Sequence, residues 1–99
     1  MALASCQTPP PSPGNVIKQY IIDGLGMGVL QLARALNVPA NRLYQILQDK
    51  RHISVDTARR LGYFLNMEPS FWMDVQIQYQ LYHARQNHPS LEDEIIPFK

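Results

Sequence analysis

Residues 29–53, which read VLQLARALNVPANRLYQILQDKRHI, decide the fold of this 99-residue chain. Within this stretch, apolar residues recur at helical spacing in two runs. The two apolar stripes comprise Leu32, Ala33, Leu36, Leu43, Ile46 and Leu47. Between the runs, Asn37 tolerates the left-handed conformation of a helix end, and Pro39 suits a first helical turn. The stretch therefore predicts a helix, a short turn and a second helix, which is the layout of a helix-turn-helix.

The second of these helices presents polar side chains that are suited to reading DNA. In a helix-turn-helix the second helix lies in the major groove, where Asn and Gln can pair with adenine and Arg with guanine. We therefore expect base contacts from Asn41, Arg42 and Gln45. The alternative is that these residues form an ordinary solvated helix face.

Basic side chains follow the reading helix. Lys50 and Arg51 come directly after it, where phosphate contacts commonly fix the register of a protein on DNA. Tyr44 can either lie against the sugar-phosphate backbone or cover the edge of the core. Arg59 and Arg60 share a later helix but point about 100° apart, so that at most one of them faces DNA.

Charge is distributed unevenly along the chain, although the net charge is only +1. Five basic and two acidic residues give +3 in residues 38–60, whereas two basic and five acidic residues give −3 in residues 61–99. This division suggests two faces with two kinds of partner, the alternative being a chance asymmetry of a solvated surface.

The flanking sequence predicts three further helices, and hence an all-α chain of five helices. One opens at Pro13-Gly14-Asn15 and ends at the glycines from Gly24 onward. Another is capped by Ser54 and closed by Asn66. We expect its buried side to comprise Val55, Ala58, Leu61, Phe64 and Leu65. The last helix opens at Pro69-Ser70, reaches about Arg85, and places Phe71 and Trp72 in the core.

Composition divides the chain into a leader, a domain and a tail. Residues 1–13 are rich in proline and predict a flexible leader, residues 14–86 form the domain with its helix-turn-helix at 29–48, and residues 87–99 form a tail. Cys6 is the only cysteine, so no internal disulfide is possible and a reducing cytoplasm is expected. No apolar run is long enough to span a membrane.

Several motifs in this order resemble a known family. LARALNVP at residues 32–39, KRHIS at 50–54, DTARRL at 56–61 and PSFW at 69–72 carry the resemblance, which covers roughly residues 10–86. The chain resembles the HigA-type antitoxins, a branch of the lambda-repressor-like (Xre) helix-turn-helix proteins. It departs from the family pattern at Gly28, where Ser or Thr commonly caps the second helix, and at Asp49, where Gly is usual.

The resemblance implies a function. HigA-type antitoxins bind operator DNA as homodimers, repress their own operon and neutralise a small basic ribonuclease toxin. By family analogy Ala40 joins the base-reading residues, and Gly28 and Val29 join Tyr44, Lys50 and Arg51 in contacting phosphate.

The C-terminal part of the chain offers surfaces for protein partners. Tyr79 and Tyr82 lie beyond what the first four helices can cover, which suggests a self-association surface. In the tail, three acidic residues precede Ile95 and Ile96, and this segment could pair as a strand or dock on a basic protein. The alternative is a frayed terminus.

Catalysis is not indicated by the sequence. His52, His83 and His88 have no cysteine partners at zinc-ligand spacing, and there is no Gly-rich phosphate loop or nucleophile-base pair. We expect no metal, no cofactor and no small-molecule substrate. Two alternatives to the antitoxin stay open, namely a stand-alone Xre-type regulator without a toxin and a purely protein-binding helical module.

Overall fold

The computed structural model describes residues 8–98, and within this range it contains six α-helices and no strand. The helices are α1 (Pro13–Ile17), α2 (Val29–Leu36), α3 (Ala40–Leu47), α4 (Val55–Leu65), α5 (Pro69–Asn87) and α6 (Leu91–Glu94). A π-helical segment, Lys18–Asp23, continues α1. The all-α prediction is confirmed, with α6 as one short helix more than expected. Cys6 and the first seven residues of the predicted leader lie outside the described residues.

The helix ends follow from local sequence. The hydroxyl of Ser12 accepts a hydrogen bond from the Asn15 amide at 3.0 Å, and Ser54 accepts one from the Thr57 amide at 3.1 Å. Asn37 and Asn66 close α2 and α4, each with φ 57° and ψ 49°, which is the left-handed region. The predicted caps at Asn37, Ser54 and Asn66 are therefore confirmed.

The core contains both apolar stripes of the helix-turn-helix. Its fully buried members include Ile17, Ile21, Leu32, Leu43, Ile46, Ile53, Ala58, Leu61 and Trp72. Trp72 is only 1% exposed, as predicted, but Phe71 is 42% exposed, and its placement in the core was wrong. Phe71 instead packs edge-on against Trp72, with ring centroids 5.1 Å apart. It therefore borders the core from outside.

The buried face of α4 is rotated from the one predicted. Val55 is 63% exposed and Phe64 39% exposed, whereas Thr57 and Gly62 face inward. A Cβ atom built on Gly62 would lie 2.7 Å from the Met67 carbonyl oxygen, so only glycine lets α4 approach the start of α5 this closely. The close approach decides which face of α4 is covered.

Most of helix α5 lies outside the core of the molecule, which measures 49 × 24 × 23 Å overall. Although α5 has 19 residues, only Trp72 and Gln76 are buried in it. Residues 8–11 lie beside α5 and line grooves with Gln78 and Tyr82. The later turns of α5 therefore contact the N-terminal proline segment rather than the core.

Candidate nucleic-acid interface

Helix α3 carries the four predicted base-reading residues, of which Ala40 packs against the edge of the core. Asn41 is exposed, while Ala40, Arg42 and Gln45 are half-buried. Pro39 precedes the helix in an extended conformation, and the buried Leu43 and Ile46 fix which side of α3 faces outward. The fold therefore places three of the predicted base-reading residues, Asn41, Arg42 and Gln45, on the side of α3 that faces away from the core.

Arg42 is paired with an acid from another helix. Its Nη1 lies 3.5 Å from Oδ2 of Asp56, and the same oxygen accepts a hydrogen bond from Arg60 Nε at 2.9 Å. Arg60 also donates through Nη1 to the carbonyl oxygens of Leu36, at 3.0 Å, and Asn37, at 3.3 Å. These bonds satisfy carbonyls at the end of α2. A continuous set of contacts thus joins α2, α4 and α3.

The charge of Asp56 is favoured by these partners. The hydrogen bond from Arg60, with the nearby charges of Arg60 and Arg42, holds the pKa of the Asp56 carboxyl below its usual value of 3.8 despite partial desolvation. Because a lowered pKa means that the ionised form is stabilised, Asp56 is a carboxylate at neutral pH.

Gln45, a second predicted base-reading residue, is hydrogen-bonded to Arg51, which belongs to the predicted phosphate contacts. Arg51 Nη1 donates a hydrogen bond to Oε1 of Gln45 at 3.1 Å. The turn that makes this possible has Asp49 in the left-handed region, at φ 60°, with the Lys50 amide bonded to the Gln45 carbonyl at 2.8 Å. Asp49 thus adopts the conformation for which glycine is usual at this position.

The loop after α3 is tied to α5. The Gln76 amide group donates to the Ile53 carbonyl at 2.8 Å and accepts from the Ile53 amide. Lys50 and Arg51 precede this anchored residue and are exposed, and Lys50 forms no ion pair within residues 8–98. Two basic side chains therefore project from a loop that is fixed at its far end.

The remaining predicted phosphate contacts lie at two places. Tyr44 is 44% exposed on α3, so it projects from the helix rather than closing the core. Gly28 and Val29 begin α2, and no side chain caps that helix end. Its first N–H groups are therefore not bonded by a capping side chain and can bind an anion.

The residues predicted to contact protein partners lie in α5 and in the tail, far from α3 in the sequence. Tyr79 and Tyr82 are half-buried and pack against the His83 ring, at centroid distances of 4.5 and 5.2 Å. Ile95 is 59% and Ile96 92% exposed. In the described residues the acidic cluster of the tail lies in α6, and Ile95 is extended without being part of a strand.

Sequence reasoning missed the contacts that two residues, Asp56 and Gln76, make near this surface. The ion pair of Asp56 with Arg42 was not expected. The two hydrogen bonds of Gln76 with Ile53 were not expected either. The Asp56–Arg60 pair had a visible signal in the sequence, since an acid and a base four residues apart meet on a helix surface.

No helix within residues 8–98 is long and apolar enough to cross a bilayer.

Comparison with known proteins yields antitoxins and virulence-associated proteins. No family model matches the chain. Over 73 residues, or 73% of its length, the chain is 41% identical to virulence-associated protein A' of Dichelobacter nodosus, and it spans 63% of that protein. An addiction module antidote protein of the HigA family from Coxiella burnetii is 33% identical, with a TM-score of 0.86 over 92% of this chain and 100% of that one.

A second solved structure contains DNA. The Pseudomonas aeruginosa antitoxin HigA, determined with the higBA promoter, is 34% identical and superposes with a TM-score of 0.82. The match covers 91% of this chain and 99% of that chain.

Proposed function

Because this chain belongs to the HigA family of helix-turn-helix antitoxins, we propose that it binds operator DNA as a dimer, represses its own operon and neutralises a partner toxin. The observation that carries the proposal is the outer face of α3, where Asn41, Arg42 and Gln45 lie together beside the Lys50–Arg51 loop. Such a protein is a regulator rather than an enzyme, and it acts in the cytoplasm, where its operator lies.

DNA recognition would combine two kinds of contact. Asn41, Arg42 and Gln45 would read base edges in the major groove, and Ala40 would contact a thymine methyl group. Five residues would hold phosphate, namely Gly28, Val29, Tyr44, Lys50 and Arg51. Phosphate contacts set the position of the protein and base contacts set its sequence preference, so the two sets have different mutational signatures.

A dimer follows from the size of the reading surface. One domain of this kind reads a half-site, and paired reading helices lie about 34 Å apart, which is one turn of duplex. Tyr79 and Tyr82, on the projecting part of α5, are the proposed contacts between protomers. Light scattering at micromolar concentration tests this, and a mass of 11.4 kDa rather than twice that value would contradict it.

The toxin contact is proposed for the C-terminal tail. Its acidic cluster in α6, followed by the exposed Ile95 and Ile96, offers negative charge and apolar surface to a small basic ribonuclease. Deleting residues 88–99 should weaken toxin binding while leaving the dimer intact. If neither toxin binding nor dimerisation changes, the tail is not a contact surface.

The domain division is part of the same proposal. Residues 14–86 form the DNA-binding domain, residues 1–13 the leader and residues 87–99 the tail. Within the leader, Ser12 is buried and caps α1, so a truncation should begin before it. A chain starting at Thr8 keeps the segment beside α5 and should unfold at the same temperature as the full chain, whereas one starting at Gly14 should unfold at a lower temperature.

Copurification from the native operon tests the proposed function as a whole. An affinity-tagged chain expressed with its neighbouring genes should retain a small basic protein and shift its own promoter in a gel, less strongly as salt increases. A shift without a copurifying protein would favour the stand-alone regulator. An absent or salt-insensitive shift would favour the protein-binding module and overturn the DNA-binding proposal.

A further inference from the structure

We infer that Asp56, which lies on α4 and outside the reading helix, determines sequence specificity by orienting the guanidinium of Arg42 toward guanine. The inference rests on the proposed DNA-binding function and deepens it. Asp56 is a positioning residue, because it acts through Arg42 and not by a contact of its own with a base.

The contacts of Asp56 are unequal, and this inequality is the basis of the inference. Oδ2 of Asp56 lies 2.9 Å from Arg60 Nε but 3.5 Å from Arg42 Nη1. Arg60 is itself fixed by the carbonyl oxygens of Leu36 and Asn37. The carboxylate is therefore held firmly by Arg60, and it restrains Arg42 without closing a short hydrogen bond.

A restrained arginine is well suited to reading guanine. The guanidinium has five N–H donors in a rigid planar arrangement, and bidentate recognition of guanine needs only two of them. Asp56 occupies one donor of Arg42 and leaves the others available. Because the side chain of Arg42 is only 27% exposed, the rotamers it can adopt are also limited by packing. Less conformational entropy is then lost when it binds a base.

Although Asp56 should increase specificity for guanine, its negative charge should lower the affinity of the protein for DNA of any sequence. A carboxylate beside DNA repels phosphate, so its presence weakens binding to every sequence. Replacing Asp56 with asparagine should therefore strengthen binding to random DNA while reducing discrimination at one base pair. A general folding defect cannot produce these two changes together.

The test is selection from a pool of random 20-base-pair duplexes, followed by sequencing of the bound fraction. The wild-type chain should enrich a motif with a guanine position that disappears in Arg42→Ala. In Asp56→Asn, enrichment at that guanine should fall about fivefold to tenfold while the other positions persist. In the Arg42→Ala background, Asp56→Asn should change no position of the motif. Asp56→Glu should restore part of the guanine preference.

A matched control removes a carboxylate elsewhere. Asp23, whose only ion pair within the described chain is with Lys18 at 3.5 Å, can be changed to asparagine without touching α3. Asp23→Asn should leave the guanine enrichment unchanged. Since enrichment ratios are measured within one preparation, they do not depend on the fraction of active protein.

Three results would overturn the inference. If Asp56→Asn keeps the wild-type guanine preference, the proposed DNA-binding function stands but Asp56 does not orient Arg42. If all positions of the motif weaken together, Asp56 supports α3 as a whole rather than Arg42. If the wild-type chain enriches no motif, the proposed function itself fails, and the role of Asp56 fails with it.

Discussion

The side chain of Gln76 makes both of its hydrogen bonds to the backbone of a single residue, Ile53, which lies 23 positions earlier in the chain. The amide group replaces the partners that a helix or strand would otherwise supply to this loop residue. Because Ile53 lies two residues after Arg51, α5 fixes the backbone at the end of the loop that carries Lys50 and Arg51.

Replacing Gln76 with alanine should destabilise the protein strongly. The change leaves the buried N–H and C=O groups of Ile53 without partners, at a cost of about 2–4 kcal/mol in the free energy of unfolding. Urea denaturation measures this loss. Gln80→Ala, one turn further along α5, removes only an exposed contact with His52 and should cost less than about 0.5 kcal/mol. Equal costs for the two variants would contradict the buried role of Gln76.

Replacing Gly28 with serine should stabilise the protein. Gly28 has φ −76° and ψ 162°, which is nearly the conformation of the two capping serines, and a Cβ atom there meets nothing within 4 Å. A new cap on α2 should add about 0.3–0.5 kcal/mol, or roughly 2 °C in Tm. Thermal unfolding followed by circular dichroism measures it. Gly26→Ser is the matched control and should lower Tm, because Gly26 has φ 70°.

Replacing Gly62 with alanine should destabilise the protein, although alanine is favoured over glycine inside a helix by about 1 kcal/mol. The added Cβ atom would lie 2.7 Å from the Met67 carbonyl oxygen and 3.1 Å from Pro69, so that α4 and α5 must separate. We expect a net loss of about 1–3 kcal/mol in urea denaturation. A variant more stable than the wild type would show that helix propensity outweighs packing at this position.

Asp56 should stabilise the folded protein at neutral pH, where it is ionised, and should cease to do so when it is protonated in acid. The folded-state pKa of Asp56 is lowered below its ordinary value of 3.8, so its stabilising contribution is fully present above that value. The contribution is lost as pH falls through the lower folded pKa. The Tm of the wild type should therefore exceed that of Asp56→Asn at pH 6, and the gap should narrow as the pH is lowered below 3.8. A gap that does not change with pH would refute the ion pairing.

Replacing Lys50 with alanine should weaken binding to all DNA sequences alike. Loss of one phosphate contact should reduce the slope of log affinity against log salt by about one unit. Fluorescence anisotropy with a labelled duplex at several salt concentrations measures the slope. Lys18→Ala provides a control, because Lys18 pairs with Asp23 away from α3. An unchanged slope would remove Lys50 from the phosphate-binding residues.

The helix ends could be predicted from the sequence because capping is a local property. Ser54, Asn37 and Asn66 each act within about four residues of their own position, so neighbouring sequence suffices to identify them. The burial of Trp72, at the start of α5, was also predicted from the sequence. These elements fix the all-α fold.

The pairing of side chains across helices could not be predicted in this way. Asp56 and Arg42 are 14 residues apart and meet only because α4 packs across the end of α2. The Arg51–Gln45 hydrogen bond requires the chain to reverse at Asp49, whose left-handed conformation is not the default for aspartate. The residues proposed for DNA contact could therefore be named from the sequence, but their contacts with one another depended on packing.

The burial of Trp72 gives the chain its own optical probe. Trp72 is the only tryptophan, is 1% exposed, and lies at the start of α5 rather than on α3. Because indole emission shifts to longer wavelength when water reaches the ring, its spectrum reports whether α5 is seated on the core. For a duplex that is already known to bind, emission that stays unchanged would mean that the complex forms without displacing α5, and no external dye is needed to follow this.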